Sequence, residues 1–593
     1  MSTFPVNNLT VSGTASISGA TTVGALDAEG AVTGAGFVAL VAPFAPKVAP
    51  TLTSPVVING DGVHITLTLS DPTNANGVLI ALTGNGGTTP AKYIQAGAGF
   101  FALLNNALQD IVNISDSGVM TFPQSGAGVG TVVGSISALR SVLKTGNQSC
   151  YVTGYYAPGD GGGGQYFFAP GDTTSADNGG TIIVAPDGGR WYLDFVDFVT
   201  TKQFGCKADG STDDTSALQK AFTAVSNLHI SIGKHLVSSN VGIAKSNFTL
   251  TGAGQDSQIL TNSSTANILS FGDGTNEYQN VVLRDFSIDS TVSKTAGVAI
   301  TMAKCTRSRI KTVFMSPPET ATNPPRLFWG IYCNQFDYTV IESCTIIVKG
   351  VGIAAAGNSS GTYGAGFYIT GGTKVNTDNV SNSIGVLIGG GCGGVVFGEC
   401  DIIACEQNVV FNNTLASAPN REQFFTAGCT LDSAGDNNIW VQNNGAAVID
   451  MTGTWCSSAG QTNASGNGIL VNSTQQSGMF VKCNGVRMFN NLGGAIVSNG
   501  GGLIFVGGLM ISNGLGASGG HGIWFPTANT SEKTITGSTI INNGNATTGT
   551  GILIAAGVTN CQIQCNTIHG NAQAQLTDNS GAVNKLIANN LLT

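Results

Sequence analysis

Gly428-Cys429-Thr430-Leu431-Asp432, followed closely by Ile439-Trp440-Val441, is the stretch on which the fold turns. Each run is short and apolar at alternate positions, as in a half-buried strand, and each is bounded by Gly, Ser, Asp or Asn, which suit turns. Outward along the chain the same pair recurs. The apolar run returns at Val409, Ile439, Ile469, Ile496, Ile523 and Ile552, every 27 to 30 residues, and a glycine leads into the other run at Gly398, Gly428, Gly453, Gly485, Gly508 and Gly537. One interval is one coil of a solenoid. Leucine-rich and ankyrin repeats have similar periods but require a Leu-x-x-Leu-x-Leu frame or recurring helical stripes, and this sequence carries neither. The pattern predicts an all-β chain dominated by a parallel β-helix over residues 204–593. Asn490-Asn491, Asn513, Asn542-Asn543 and Asn566 close many of the runs, so their amides are expected at turns or stacked on the neighbouring coil.

Ahead of the repeats the texture changes twice. Residues 1–135 are rich in Thr, Ser, Gly and Ala with short alternating pieces such as Val63-His64-Ile65-Thr66-Leu67, which predict small β modules. Residues 136–203 hold Gly159-Asp160-Gly161-Gly162-Gly163-Gly164 and the aromatic strands Tyr166-Phe167-Phe168 and Trp191-Tyr192, a connector module. Next, Asp213-Asp214-Thr215 precedes a stripe of Ala217, Leu218, Ala221, Phe222 and Val225, which predicts a capped helix near 213–225. A helix there is expected to cover the open apolar end that every solenoid must close.

Composition narrows the function. The 593 residues carry a net charge of −9 with only 10% charged side chains and 84 glycines, a balance for rigid stacked β-structure rather than disorder. Lys and Arg are scattered and none precedes Lys47, so neither a nucleic-acid surface nor the basic start of a secretory signal is expected. The most apolar early run, residues 35–45, is short and broken by Pro43, so membrane insertion is not expected either. The 13 cysteines form no Cys-x-x-Cys pair and sit in strand-like runs, where a thiol behaves as a small hydrophobe. Five histidines without ligand spacing imply no metal, and no cofactor motif stands in a fitting context. Gly516-Ala517-Ser518-Gly519-Gly520 lacks the strand-to-helix setting of a nucleophile elbow.

Strand parity then selects a face. With Cys429 and Leu431 inward, Thr430 and Asp432 point outward, and the same parity on each coil predicts an outward column of Asp401, Thr430, Trp455, Arg487, Met510 and Thr539. Asp432 stands beside it, and Glu399 two residues before Asp401. Neighbouring coils lie ~4.8 Å apart, which brings Asp401 and Asp432 within the about 5 to 9.5 Å that paired glycosidase carboxyls require. A second pair, Glu406 and Asp436, each three residues before its apolar reference, is expected to stack at one corner, where like charges raise one pKa. Outward acids on a solenoid also serve as solvated surface, and corner acids satisfy turn amides. Trp455, Trp440, Trp329 and Tyr332 are candidates to stack on sugar rings or to pack under loops and between subunits. Trp329 follows an excursion from the coil pattern, residues 316–326, which adds Glu319 and Arg326 as secondary candidates.

Phe204-Gly205-Cys206-Lys207-Ala208-Asp209-Gly210-Ser211-Thr212-Asp213-Asp214-Thr215, with Leu218-Gln219-Lys220-Ala221 after it, resembles the entry motif of the pectate-lyase-like superfamily, which bacteriophage tailspikes use. The Gly-rich aromatic connector is similar to a tailspike neck. The run Leu9-Thr10-Val11-Ser12-Gly13 and residues 92–118 resemble tail-fibre modules more loosely. The resemblance implies a right-handed β-helix in a virion-attached homotrimer. It further implies that the N-terminal modules meet other tail or baseplate proteins and that the rod binds, and often cleaves, a host cell-surface polysaccharide. Three activities fit: an endoglycosidase, a lyase with Arg487 neutralising a uronate, and a receptor-binding fibre without catalysis. The repeat pattern runs through Ile563, Ile568 and Leu586 almost to Thr593, so trimer contacts are expected from the rods' flanks and the N-terminal modules.

Overall fold

The computed structural model describes residues 78–593 apart from internal segments, the longer of which are 83–91, 122–130, 316–324, 414–421 and 474–478. The modules expected before residue 78 lie outside the described residues, as do Glu319 and Ser518. A five-stranded antiparallel sheet runs from Val78–Leu82 to Met120–Thr121, and a second five-stranded sheet from Thr131–Val133 to Arg190–Leu193. The second is built on Tyr166 and Trp191, both fully buried. Their polar tips find backbone acceptors, the Tyr166 hydroxyl on the Gly180 carbonyl at 2.8 Å and the Trp191 indole N–H on the Val142 carbonyl at 3.0 Å.

From Val199–Thr200 onward the chain winds into a parallel β-solenoid. A typical coil sends Glu422–Ala427 along face one, Thr430–Asp432 along face two and Ile439–Asn443 along face three. Faces one and two merge across a bend into one 30-stranded sheet, and face three is a separate sheet of 13 strands. The sequence displays two of these three registers. The face-one strands carry no recurring marker residue, so their period is hidden. The apolar series is in exact rung-to-rung register: Val409, Ile439, Ile469, Ile496, Ile523 and Ile552 pair in turn, and all are fully buried.

The glycine series needs two corrections. The bend between faces one and two requires a left-handed backbone, which glycine adopts without steric cost. Gly428, Gly453, Gly485 and Gly537 hold that position, but in two coils it belongs to Glu399 (φ 52°) rather than Gly398 and to Gly507 (φ 60°) rather than Gly508. One residue of slip reverses parity. Leu509 therefore occupies the outward column, paired with Arg487 and Thr539, while Met510 points inward and is fully buried.

Inside, the stacked aliphatic residues are joined by a ladder of amides at the corner between faces two and three. Asn491 Nδ2 donates to Asn513 Oδ1 at 2.7 Å, Asn513 to Asn543 at 2.9 Å, and Asn543 to Asn571 at 2.9 Å, with Asn491, Asn513 and Asn543 wholly inaccessible. Twelve of the 13 free thiols are buried, and burial pushes those of Cys305 and Cys344 up to about 12.

A helix at Thr215–Ala224 plugs the N-terminal end. Leu218, Ala221 and Phe222 are fully buried, and the Phe222 ring lies 5.2 Å from Phe248 and 6.1 Å from Phe271 within the first coils. Only one of the two expected capping acids caps. Asp213 accepts the Thr215 N–H at 2.9 Å, whereas Asp214 turns back to accept the N–H groups of Lys207 and Ala208 at 2.8 and 2.9 Å, tying down the loop before the helix.

His235, fully buried beneath this end, bridges the Thr201 hydroxyl (2.7 Å) and the Gln258 carbonyl (3.3 Å). Burial pushes its imidazole down to about 4. Because that lies below the unfolded value of about 6.5, the unfolded chain binds the extra proton first. The contribution is therefore complete above about pH 6.5 and fades as the pH falls towards 4, about 3 kcal/mol in all. Urea unfolding at pH 7.5 and 4.5 checks this: His235→Gln is expected to be less acid-sensitive than the wild type, with the half-buried His229 and His521 supplying part of what remains, and an unchanged pH slope would contradict it.

Candidate functional site

Face two presents two outward columns. The first runs Lys374, Asp401, Thr430, Trp455, Arg487 and Leu509, and the second Ile403, Asp432, Ser457 and Phe489, each residue paired to the next across one rung. Asp401 and Asp432 are thus diagonal neighbours, one rung apart and two residues along the strand, which spaces their Cα atoms about 8 Å apart. Asp401 is exposed and Asp432 half-buried.

The two columns are linked by a short relay. The Trp455 indole N–H donates to the Ser457 hydroxyl, and that hydroxyl donates to the Asp432 carboxylate. Trp455, 40% exposed, leans on Phe489 with ring centroids 4.7 Å apart, and Arg487 stands exposed one rung above it. Sequence parity identifies Trp455 and Asp432 but misses Ser457 and Phe489. Both lie two residues beyond members of the first column, which is the signal that finds them. Glu399, also exposed, occupies the left-handed bend beside Asp401 where the next coils have glycine. A non-glycine residue there costs of order 1 kcal/mol, and the carboxylate is thereby carried outward from the corner.

Glu406 and Asp436 do stack, with the Asp436 N–H on the Glu406 carbonyl at 2.7 Å, but their carboxylates serve different partners. Glu406 accepts the Asn382 N–H. Asp436 accepts amide donors from Gln407 at 2.6 Å, Asn437 at 2.7 Å and Asn463 at 3.0 Å. Burial, not repulsion from Glu406, holds Asp436 above the ordinary carboxylate range, and the Gln407 and Asn463 amides pull it back.

The remaining aromatic candidates belong to another face. Tyr332 and Trp440 point outward from face three, in a column that continues through Val410, Trp440, Leu470, Val497, Trp524 and Leu553. Trp329 meets Tyr332 edge-on at 6.1 Å in that sheet. Arg326 is held by Asp289, a carboxylate only 4% exposed, at 2.5 Å, and so anchors the end of its loop.

Residues 132–195 match the family model for the phage tail protein small four-stranded β-sheet domain, and residues 198–407 that for rhamnogalacturonase A/epimerase, pectate-lyase-like. The phage tail match falls on the second small sheet and the pectate-lyase-like match on the first part of the solenoid. Among solved structures it is similar to the enzymatically active domain of tailspike protein 2 from bacteriophage CBA120, with 18% identity over 76% of this chain and 62% of that one at a TM-score of 0.47. It is also similar to the N-terminal fragment of gene product 12 from bacteriophage Phi29, with 17% identity over 63% and 66% at 0.46. A third is the catalytic unit of an α-1,3-glucanase from Streptomyces thermodiastaticus, with 12% identity over 68% and 73% at 0.38. The chain spans about 62% of the tailspike protein 2 structures it matches. No curated protein matches its sequence. Among the described residues no helix is long and apolar enough to cross a membrane.

Proposed function

We propose that this is a virion tailspike whose face two grips and hydrolyses a host-surface polysaccharide such as a capsule, O-antigen or exopolysaccharide. The observation that carries the reading is the relay from Trp455 through Ser457 to Asp432, with Asp401 one rung below Asp432 and Arg487 one rung above Trp455. An indole face complements the C–H face of a sugar, and the diagonal acids suit a glycosidic oxygen between them. Asp432, already an acceptor for the Ser457 hydroxyl, takes the base's role and Asp401 the acid's. Glu399 extends the acidic edge. The phage tail domain at 132–195 supports attachment to a virion, and the pectate-lyase-like match supports a polymeric glycan.

Incubation with host polysaccharide and measurement of chain length tests the reading. Shortening with new reducing ends is expected, and persistence of full-length chains would leave a receptor-binding fibre. The exposed Arg487 favours one further reading, a lyase in which the guanidinium neutralises a uronate carboxylate. Ultraviolet absorbance from unsaturated product ends would decide for it.

Face three supports the homotrimer. Trp440, Leu470, Trp524 and Leu553, each half-buried, stand outward in one column parallel to the rod, with Val497 buried between them, and a second copy lying alongside would cover them. Trp524→Asp is expected to shift sedimentation from trimer to monomer with an unchanged circular dichroism spectrum. A monomeric wild type, or a variant that stays trimeric, would remove face three as the contact.

A further inference from the structure

The cations are less scattered than their average density implies. Lys304-Cys305-Thr306-Arg307-Ser308-Arg309-Ile310-Lys311 holds four of the chain's 24 Lys and Arg residues. Ser308 and Ile310 are buried, so Arg307 and Arg309, both exposed, and Lys311 share the outward side of face one. Above Arg307, one rung on, stands Tyr338, 54% exposed. Its ring lies 5.3 Å from that of Tyr368 on the next rung.

Arg307 and Tyr338 also break a local rule. They belong to the column of left-handed residues at the corner entering face one, which runs Asn247, Asn280, Arg307, Tyr338, Gly366 and Gly394. Asn and Gly tolerate that backbone, whereas a bulky side chain there is uncommon. On two consecutive coils the corner thus carries a guanidinium and a phenol turned to solvent. Gly366 and Gly394 beyond them carry no side chain, so a sugar ring stacked on Tyr338 meets there only Tyr368, whose ring is tilted 59° to that of Tyr338.

The neighbouring acids are occupied. Glu277 accepts from Gln279, Thr306 and Tyr363, which with a smaller pull from the Arg307 guanidinium hold its carboxyl below the ordinary range, and Glu342 accepts from Lys311 at 2.8 Å with Arg309 at 3.6 Å. Asp337 is half-buried at the corner, and Arg307 forms no ion pair among the described residues. From this we infer that Arg307, Arg309, Tyr338 and Tyr368 form a second contact surface for the polymer, one that selects an acidic glycan. Arg307 engages a sugar carboxylate, and the two tyrosines stack on sugar rings. The inference rests on the glycan-binding reading above and gives its substrate class. It does not depend on cleavage.

Native gels cast with polygalacturonate, with its uncharged methyl ester, or with no polymer test it on the full chain. The protein is expected to be retarded by polygalacturonate and not by the ester, with retardation falling as salt screens the charge. The double variant Arg307→Asn, Tyr338→Gly uses residues that neighbouring coils place at this corner, so the fold is kept. It is expected to need about tenfold more polymer for the same retardation. Equal retardation by the ester, none by polygalacturonate, or a double variant that migrates as the wild type overturns the inference. If the wild type is retarded but shortens no polymer, the hydrolase reading fails and this one stands.

Discussion

Asp432→Asn lowers the rate at which new reducing ends form by about 10²- to 10⁴-fold, with polymer affinity nearly unchanged. The substitution removes charge but little shape. An Asn side-chain oxygen still accepts the Ser457 hydroxyl, so Trp455 and Phe489 keep their positions and the sugar-stacking surface survives. What is lost is the ability to take a proton from water or to attack the anomeric carbon, which a neutral amide cannot do. Loss in kcat without loss in KM is therefore the expected signature. Asp401→Asn should give a comparable fall, because each carboxyl serves a different half of one reaction. Ser457→Ala should cost only about tenfold, since it frees the carboxylate to rotate without removing it. Asp436→Asn separates the two acidic pairs: if the large fall appears there and Asp432→Asn retains activity within threefold, catalysis belongs to the corner and not to face two.

Much of this site was legible in the sequence because a solenoid repeats one geometry, so a single correct assignment of inward and outward at Gly428-Cys429-Thr430 propagates to Asp401, Trp455 and Arg487. The propagation fails where the marker is ambiguous. Gly507-Gly508 offers two residues able to take the left-handed bend, and the wrong choice exchanges Leu509 for Met510. At Gly398-Glu399 the residue less suited to that backbone takes it, which no propensity foretells. Parity also says that a residue points outward without saying from which face. Trp440 and Trp455 look alike in sequence, yet one lies on the apolar line of face three and the other beside Asp432. The Ser457 relay depends on side-chain torsions, and Arg307 and Tyr338 become neighbours only once the coils are stacked.

The amide ladder makes the largest expected contribution of any single polar side chain to stability. Asn513→Ala is expected to lower the unfolding free energy by about 3 to 5 kcal/mol, the sum of several buried groups left without partners. In the wild type the Asn513 side-chain oxygen accepts both the backbone and side-chain N–H of Asn491, at 3.3 and 2.7 Å. Its own amide donates to Asn543 at 2.9 Å and to the Met488 carbonyl at 3.1 Å. Alanine strands the backbone N–H of Asn491 and one of its side-chain N–H groups, both far from water, and takes from the Met488 carbonyl its side-chain donor. Asn472→Ala is the matched control, because Asn472 accepts an amide from Asn499 one coil above but does so in solvent, where water replaces the bond at a cost below about 0.5 kcal/mol. Guanidinium unfolding of the three proteins distinguishes the cases, and equal midpoints for both variants would mean that the ladder fills space without holding the coils. Its position in the fold explains why the difference should be large. The ladder runs behind the candidate site as well, from Asn408 through Asn438 (2.7 Å) to Asn491 (3.1 Å) and on to Asn571, so a break at Asn513 uncouples the C-terminal coils from those that carry Asp432 and Trp455.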